Sequence, residues 1–284
     1  MPLHAPIGAE RERILIYGDA GVGKTYMWLG IADLSQKTKS TAHFHVIDTD
    51  RAALRNLKGP TAEFNYLENV TVYQARDIDQ ASEVSEKILA NIASEDDWIV
   101  VDMLSNIWDG MSTWWVRNVF DQDPASYWAS VRKDIIAAKE EGKGEAREFG
   151  GQASPDWEYI KKAYMGWELP ITIDAPCHVF ATAAEVQIME HYDPSGEERA
   201  KYKGTNFYKQ RGQKAVAHRF HTVLRATKTT SFKETTRELT KHKDRVDESV
   251  WDEVSTGRGH VMELRSGPKF ALDYLRKVPQ WELS

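Results

Sequence analysis

The sequence has one cysteine, Cys177, and no apolar run near the roughly 18 residues that a membrane-spanning helix needs. A single cysteine cannot form an intramolecular disulfide, and it cannot build a thiolate-rich metal site. The first residues have no apolar stretch after a basic start, so no secretory signal is predicted. We therefore expect a soluble cytoplasmic protein with no membrane partner.

Net positive charge is also lacking, because 37 Lys and Arg stand against 43 Asp and Glu, for a net charge of −6 over 284 residues. This charge argues against a protein that coats nucleic acid with its whole surface. Between Arg199 and Arg245, however, 14 Lys and Arg face 3 Asp and Glu. The asymmetry predicts one surface directed at an anion.

Short apolar runs alternate with helical patterns, which is typical of an α/β fold with a mostly parallel sheet. A helix over residues 80–93 is expected to be capped by Asp79. Residues 221–229 and 234–245 alternate as an antiparallel pair. The expected parallel strands are Ile14–Tyr17, the end of 42–50, Val70–Tyr73, Trp98–Asp102 and Cys177–Thr182.

Residues 105–170 interrupt this pattern, and we interpret them as a helical insertion in a single domain that spans 1–284. Pro124 and Pro155 each suit the first turn of a helix. A glycine-rich, charged loop separates the two helices, and a tail covers about 246–284. Two roles stay open for the tryptophans: packing the insertion on the sheet, or stacking on bases. They are Trp108, Trp114, Trp115, Trp128, Trp157 and Trp167.

GDAGVGKT at residues 18–25 matches the phosphate-loop pattern G-x-x-x-x-G-K-[ST] between an apolar strand and a helix. Glycines let consecutive backbone N–H groups surround phosphate oxygens at a helix N-terminus. Lys24 is expected to reach the β and γ phosphates of ATP, and Thr25 to hold Mg²⁺. The alternative is a glycine turn that binds nothing. The predicted nucleotide contacts are Gly18, Asp19, Ala20, Gly21, Val22, Gly23, Lys24, Thr25 and Tyr26.

Carboxylates follow several predicted strands at the same edge of the sheet. Asp102 ends WIVVD, where it can support the Mg²⁺ ion, although a helix cap or an ordinary strand-end acid is the alternative. Candidates for orienting a water molecule are Asp48, Asp50 and Glu185. No NKxD-like guanine motif, arginine lid or acceptor pocket is recognisable, which disfavours a GTPase or a small-molecule kinase.

The ordered set of motifs resembles the RecA-like ATPases, above all the compact phage-encoded ones associated with single-strand annealing and recombination. The residues that carry the resemblance are GDAGVGKT, VIDTDRAAL, DDWIVVDMLSNIW, QKAVAHRFHTVLRAT and KHKDR. They cover about 14–104 and 171–245, without the insertion or the tail.

The resemblance implies further roles. Asp50 matches the family's water-orienting glutamate, and its shorter side chain implies slow or partner-dependent hydrolysis. Lys243 and Arg245 match a basic pair that reaches a neighbouring subunit's nucleotide, so the active form would be a ring or filament with ATP at subunit interfaces. A solvated strand end is the alternative interpretation of that pair.

The family binds single-stranded DNA through loops after its fourth and fifth core strands, and the second of these matches residues 187–213. Basic residues would neutralise phosphates while aromatic rings accept bases; the alternative is an exposed loop with structural aromatic residues. The contacts predicted are Lys201, Tyr202, Lys203, Phe207, Tyr208, Lys209 and Arg211.

Together these features predict an ATP-hydrolysing protein that binds single-stranded DNA during recombination or annealing, with a replication or recombination protein as a further partner. Two rivals stay open. One is a ring-type DNA motor or loader on the same core. The other is a nucleotide-switched protein that recruits a partner through the tryptophan-rich insertion and has no DNA role.

Overall fold

The structure, a computed structural model, describes residues 11–59, 61–141, 155–231, 235–244 and 261–264. The strands are β1 (Arg13–Gly18), β2 (Phe44–Asp48), β3 (Val70–Gln74), β4 (Trp98–Asp102), β5 (His178–Gln187), β6 (Tyr208–Gln210), β7 (Thr222–Thr230), β8 (Thr235–Asp244) and β9 (Val261–Leu264). The helices are α1 (Lys24–Lys37), α2 (Ala52–Lys58), α3 (Ile78–Leu89), α4 (Leu104–Phe120), α5 (Pro124–Glu140), α6 (Pro155–Thr172), α7 (Glu197–Lys201) and α8 (Val216–Arg219).

Within these ranges the strands form one sheet in the order β3-β2-β4-β5-β1-β7-β8-β9, and β6 pairs with β5. The strands from β3 to β7 in that order run parallel. β8 then pairs antiparallel with both β7 and β9. This confirms the predicted fold class: a mostly parallel sheet flanked by helices, with an antiparallel C-terminal strand pair and a helical insertion.

Alternate residues of each strand supply two cores, one on each face of the sheet. Ile14 and Ile16 of β1 pack with α1 and α2, whereas Leu15 and Tyr17 pack with α3, α4 and α6. Burial of apolar residues on both faces explains why the central strands read as continuous apolar runs. None of the helices in the described ranges is long and apolar enough to cross a membrane.

The predicted cap of α3 was wrong. The N-cap is Asp77, whose side chain accepts from the backbone N–H of Gln80, and α3 ends at Leu89 rather than at residue 93. Asp79 instead lies in the first turn, where its carboxylate accepts from Trp114 Nε1 at 2.9 and 3.0 Å.

The segment 105–170 contains α4, α5 and α6, and the two prolines begin α5 and α6 as predicted. Most of its tryptophans pack inward. Trp167 is buried and donates to Ser85 Oγ at 2.9 Å, and Trp108 meets Trp157 and Tyr164 edge to face. Trp128, 37% exposed, is the exception. Packing, the first of the two roles considered, therefore accounts for most of these residues.

Some predictions lie outside the described residues: the glycine-rich loop beyond residue 141, Arg245 and the tail apart from β9. The sequence patterns did not predict α2, α4, α7, β6, α8 or β9.

Candidate functional site: a phosphate loop bordered by carboxylates

Residues 18–25 form the connection from β1 to α1, at the edge of the sheet where the parallel strands end. Gly21 and Gly23 have φ of 74° and 100°, in the left-handed region that favours glycine. A Cβ at Gly21 would meet nothing within 4 Å, so the turn faces open space. Its backbone therefore has both the shape and the access that a phosphate group requires.

Gly18 is required by a close approach of another strand. It lies between Ala184 of β5 and Ala226 of β7 in the sheet. A Cβ at Gly18 would lie 2.3 Å from the carbonyl oxygen of Ala226, which is far inside van der Waals contact. The start of the phosphate loop is thus held tightly against β7.

Lys24 begins α1 and turns back over the loop. Its Nζ donates to the carbonyl oxygens of Gly18 and Asp19, both at 2.9 Å. Burial lowers the pKa of Lys24, and the negative charges of Asp102, Glu185 and other nearby acids oppose that effect. The ammonium group is therefore held at the loop by neutral carbonyls, with acids close by.

Asp102 ends β4 and is 2% exposed. Its carboxylate accepts hydrogen bonds from Thr25 Oγ1 at 2.7 Å, Trp28 Nε1 at 3.0 Å and Thr182 Oγ1 at 2.5 Å. Burial raises the pKa of Asp102, whereas the three hydrogen bonds lower it. The two residues predicted to serve a metal ion, Thr25 and Asp102, are thus in direct contact.

Asp48 and Asp50 stand at the end of β2 in different surroundings. Asp50 is exposed, and its Oδ1 accepts from the backbone N–H of Ala52 at 2.9 Å, at the start of α2. Asp48 is 1% exposed. Thr49 between them holds this end of β2 against β4, since its hydroxyl both donates to the Met103 carbonyl and accepts from the Met103 N–H.

Glu185 lies one residue beyond the point where β5 passes Gly18, and it forms a two-pronged ion pair with Arg225. Arg225 Nε lies 2.8 Å from Glu185 Oε2, and Nη2 lies 3.2 Å from Oε1. Both side chains are largely buried, at 9% and 13% exposed. Both carboxylate oxygens of Glu185 are therefore engaged.

The aromatic residues predicted to contact DNA each pack against another side chain, and Phe207 and Tyr208 are half-buried. Tyr202 is 9% exposed and stacks on His242 at 4.2 Å between ring centroids. The guanidinium of Arg225 lies over the ring of Tyr208 at 4.0 Å. That of Arg199 lies over Phe207 at 4.6 Å.

The four basic residues predicted to contact DNA divide into two groups. Lys209 Nζ pairs with Glu198 at 2.8 Å, and Arg211 pairs with Asp109 at 3.0 Å. Lys201 and Lys203 are exposed at the surface of the segment.

Lys243 on β8 is directed at the end of α8. Its Nζ donates to the carbonyl oxygens of Ala217 and His218, both at 3.2 Å, and Phe220, at 2.5 Å. It therefore has a structural contact within its own chain.

Four residues of this region were not predicted: Trp28, Thr182, Arg225 and Arg237, whose Nε would lie 3.7 Å from a Cβ on Gly23. Trp28 stands one helical turn after Lys24, so helical spacing alone could have placed it beside the loop. The other three come from strands distant in sequence, and only strand order and register bring them to the site.

The residues present fit a nucleotide with Mg²⁺. The loop offers backbone N–H groups and an ammonium for phosphate, and Thr25 with Asp102 offers the hydroxyl and carboxylate oxygens that Mg²⁺ prefers. Gly21 leaves the required space open.

No protein-family model matches the chain, and no curated protein sequence matches it. A solved structure described as "Crystal structure of the RadB recombinase" is similar, with a TM-score of 0.48 and 13% sequence identity over 89% of this chain and 93% of that chain. Identity this low transfers neither residue roles nor activity.

Proposed function

We propose that this protein is a RecA-like ATPase that binds single-stranded DNA and acts as an oligomer in recombination or strand annealing. The observation that carries the proposal is the phosphate loop between β1 and α1, with Thr25 Oγ1 2.7 Å from the buried Asp102. The RecA-like character is supported by the ordered sequence motifs described above.

Within this proposal each residue has a defined task. Backbone N–H groups of the loop and Lys24 bind the phosphates, and Thr25 and Asp102 hold Mg²⁺. An ion held by these two residues would supply positive charge to the transferring phosphoryl group. Trp28 and Thr182 fix the orientation of Asp102 through their hydrogen bonds.

Asp50 is the better-placed candidate to orient the attacking water. It is exposed, and its hydrogen bond to Ala52 uses Oδ1 alone. Glu185, by contrast, has both oxygens paired with Arg225. Glu185 has fewer acceptor sites left for water, and turning its carboxylate toward the nucleotide would open a largely buried ion pair, which costs free energy.

DNA binding by 187–213 rests on the exposed cations Lys201 and Lys203, since each predicted aromatic partner already packs against a side chain of the protein. Backbone neutralisation rather than base stacking is then the main contribution. A role in trans for Lys243 requires its ammonium to leave the carbonyls at the end of α8.

The test is ATP hydrolysis with and without single-stranded DNA at low and moderate salt. We expect turnover that DNA stimulates and that salt suppresses, and no turnover in Lys24→Ala. A plot of the logarithm of DNA affinity against the logarithm of salt concentration has a slope set by the number of neutralised phosphates. Lys201→Gln/Lys203→Gln should make that slope shallower by about 0.7 for each phosphate that is no longer neutralised. Arg55→Gln/Lys58→Gln, with the same charge change on α2, is the matched control.

Normal turnover in Lys24→Ala would refute the ATPase assignment. Turnover indifferent to DNA would keep the ATPase and refute the DNA role, in favour of the nucleotide-switched interaction protein. Directional strand displacement would favour the motor.

A further inference from the structure

The β7–β8 hairpin places two basic residues directly opposite each other. Lys228 of β7 pairs in register with Arg237 of β8. Two residues nearer the core, Ala226 and Leu239 are also paired, and both pack in the core that contains α1. Side chains two apart on a strand share a face, so Lys228 and Arg237 lie on the α1 face of the hairpin.

Arg237 reaches the phosphate loop. A Cβ built on Gly23 would lie 3.7 Å from Arg237 Nε and 3.9 Å from Cδ. That Nε is buried and has no hydrogen-bond partner. A buried N–H without an acceptor costs free energy, so its position suits a ligand that supplies one.

The pairing of Lys228 with Arg237 is unfavourable by itself. Like charges directly opposite each other on neighbouring strands destabilise a sheet. An anion bound between the two cations would attract both, and this attraction would offset their mutual repulsion. The place where they meet adjoins a loop whose geometry suits phosphate.

The order of strands in the sheet indicates which end of a bound nucleotide Lys228 and Arg237 would contact. β1 lies between β5 and β7; Asp102 belongs to β4, beyond β5, and Arg237 belongs to β8, beyond β7. Arg237 therefore approaches the loop from the side opposite to Asp102. Thr25 and Asp102 would hold Mg²⁺ at one side of the loop, so a phosphate group on the side of Arg237 would be the one farthest from the metal, which in a nucleoside triphosphate is the α-phosphate.

We propose that Lys228 and Arg237 bind the α-phosphate end of the nucleotide from within the same chain. This inference rests on the proposed function, and it gives the monomer a cationic clamp separate from the intersubunit role proposed for Lys243 and Arg245. Because ADP and ATP share the α-phosphate, the clamp contributes equally to the affinity for both.

The experiment is calorimetric titration of the full chain with ADP and with a non-hydrolysable ATP analogue in the presence of Mg²⁺. Arg237→Gln should weaken both ligands by the same factor, about tenfold or more, since a hydrogen bond to a charged group is removed. Lys228→Gln should weaken both by a smaller, salt-sensitive factor, because this lysine is exposed. Lys58→Gln is the control for charge.

Melting temperature without nucleotide separates binding from folding. Arg237→Gln should melt at the same temperature as the parent or higher, because a like-charge pair is removed. Three results for Arg237→Gln would overturn the clamp. They are unchanged affinity for both ligands, weakening confined to the ATP analogue, and a lowered melting temperature with unchanged affinity. Failure of the ATPase proposal would show instead in the unsubstituted chain, which would bind neither nucleotide.

Discussion

Asp48 is a carboxylate buried with little compensation for its charge. It ends β2 at 1% exposure, its Oδ1 is buried without a hydrogen-bond partner, and Oδ2 accepts from the Leu54 N–H at 3.3 Å. Burial raises the pKa of Asp48 to about 6, and the negative charges of Asp102 and Asp50 add to the effect. The folded state therefore favours the protonated carboxyl.

This shift predicts a pH-dependent stability change. An unfolded aspartate has a pKa of about 4, so between about pH 4 and 6 the unfolded chain releases the proton first and the contribution of Asp48 to stability falls as pH rises. Asp48→Asn should match the parent below about pH 4 and exceed its stability by up to about 3 kcal/mol above pH 6. Urea unfolding at several pH values measures the difference. A difference that stays constant with pH would contradict the assignment.

At the scale of single elements, β8 supports α8 through Lys243. The four-residue α8 is too short to be stable by itself, and the Nζ of Lys243 binds carbonyls at its C-terminal end. A cation at this end of a helix is favourable, and its donors satisfy carbonyls that otherwise lack partners.

We therefore expect Lys243→Met, which keeps the aliphatic stem, to lower the free energy of unfolding by about 1–3 kcal/mol without nucleotide. Chemical denaturation followed by circular dichroism measures it, with Lys58→Met as the control on an exposed helix end. An unchanged stability would mean that the ammonium is free to leave α8, and would strengthen the intersubunit role.

Sequence patterns determine some of these elements and miss others. The central strands are buried on both faces, so their apolar runs stood out, and the phosphate loop is recognisable through glycines that take left-handed φ. The cap of α3 was misplaced because Asp77 and Asp79 both precede a helical pattern, and only the backbone geometry distinguishes them. Arg237 was missed because its nearness to Gly23 arises from hairpin register, which no local pattern encodes.

For the whole molecule, Arg225 connects the nucleotide site with the segment 187–213. Besides its ion pair with Glu185, it donates to the carbonyl of Thr205 at 2.9 Å and covers the ring of Tyr208. Glu185 in turn acts electrostatically on Lys24. A continuous chain of interactions thus runs from the loop to the proposed DNA surface.

If this chain of interactions transmits nucleotide binding, Mg²⁺ with an ATP analogue should slow amide hydrogen exchange across residues 199–210 in the parent. Arg225→Lys keeps the charge but removes the two-pronged geometry and the planar packing on Tyr208. We expect it to abolish most of that slowing while nucleotide affinity changes by less than about threefold, roughly 0.7 kcal/mol. Lys58→Arg serves as the matched control. Exchange that still slows to the same extent in Arg225→Lys would show that neither the ion pair nor the ring packing transmits nucleotide binding, and that the backbone pairing of β5 with β6 is sufficient.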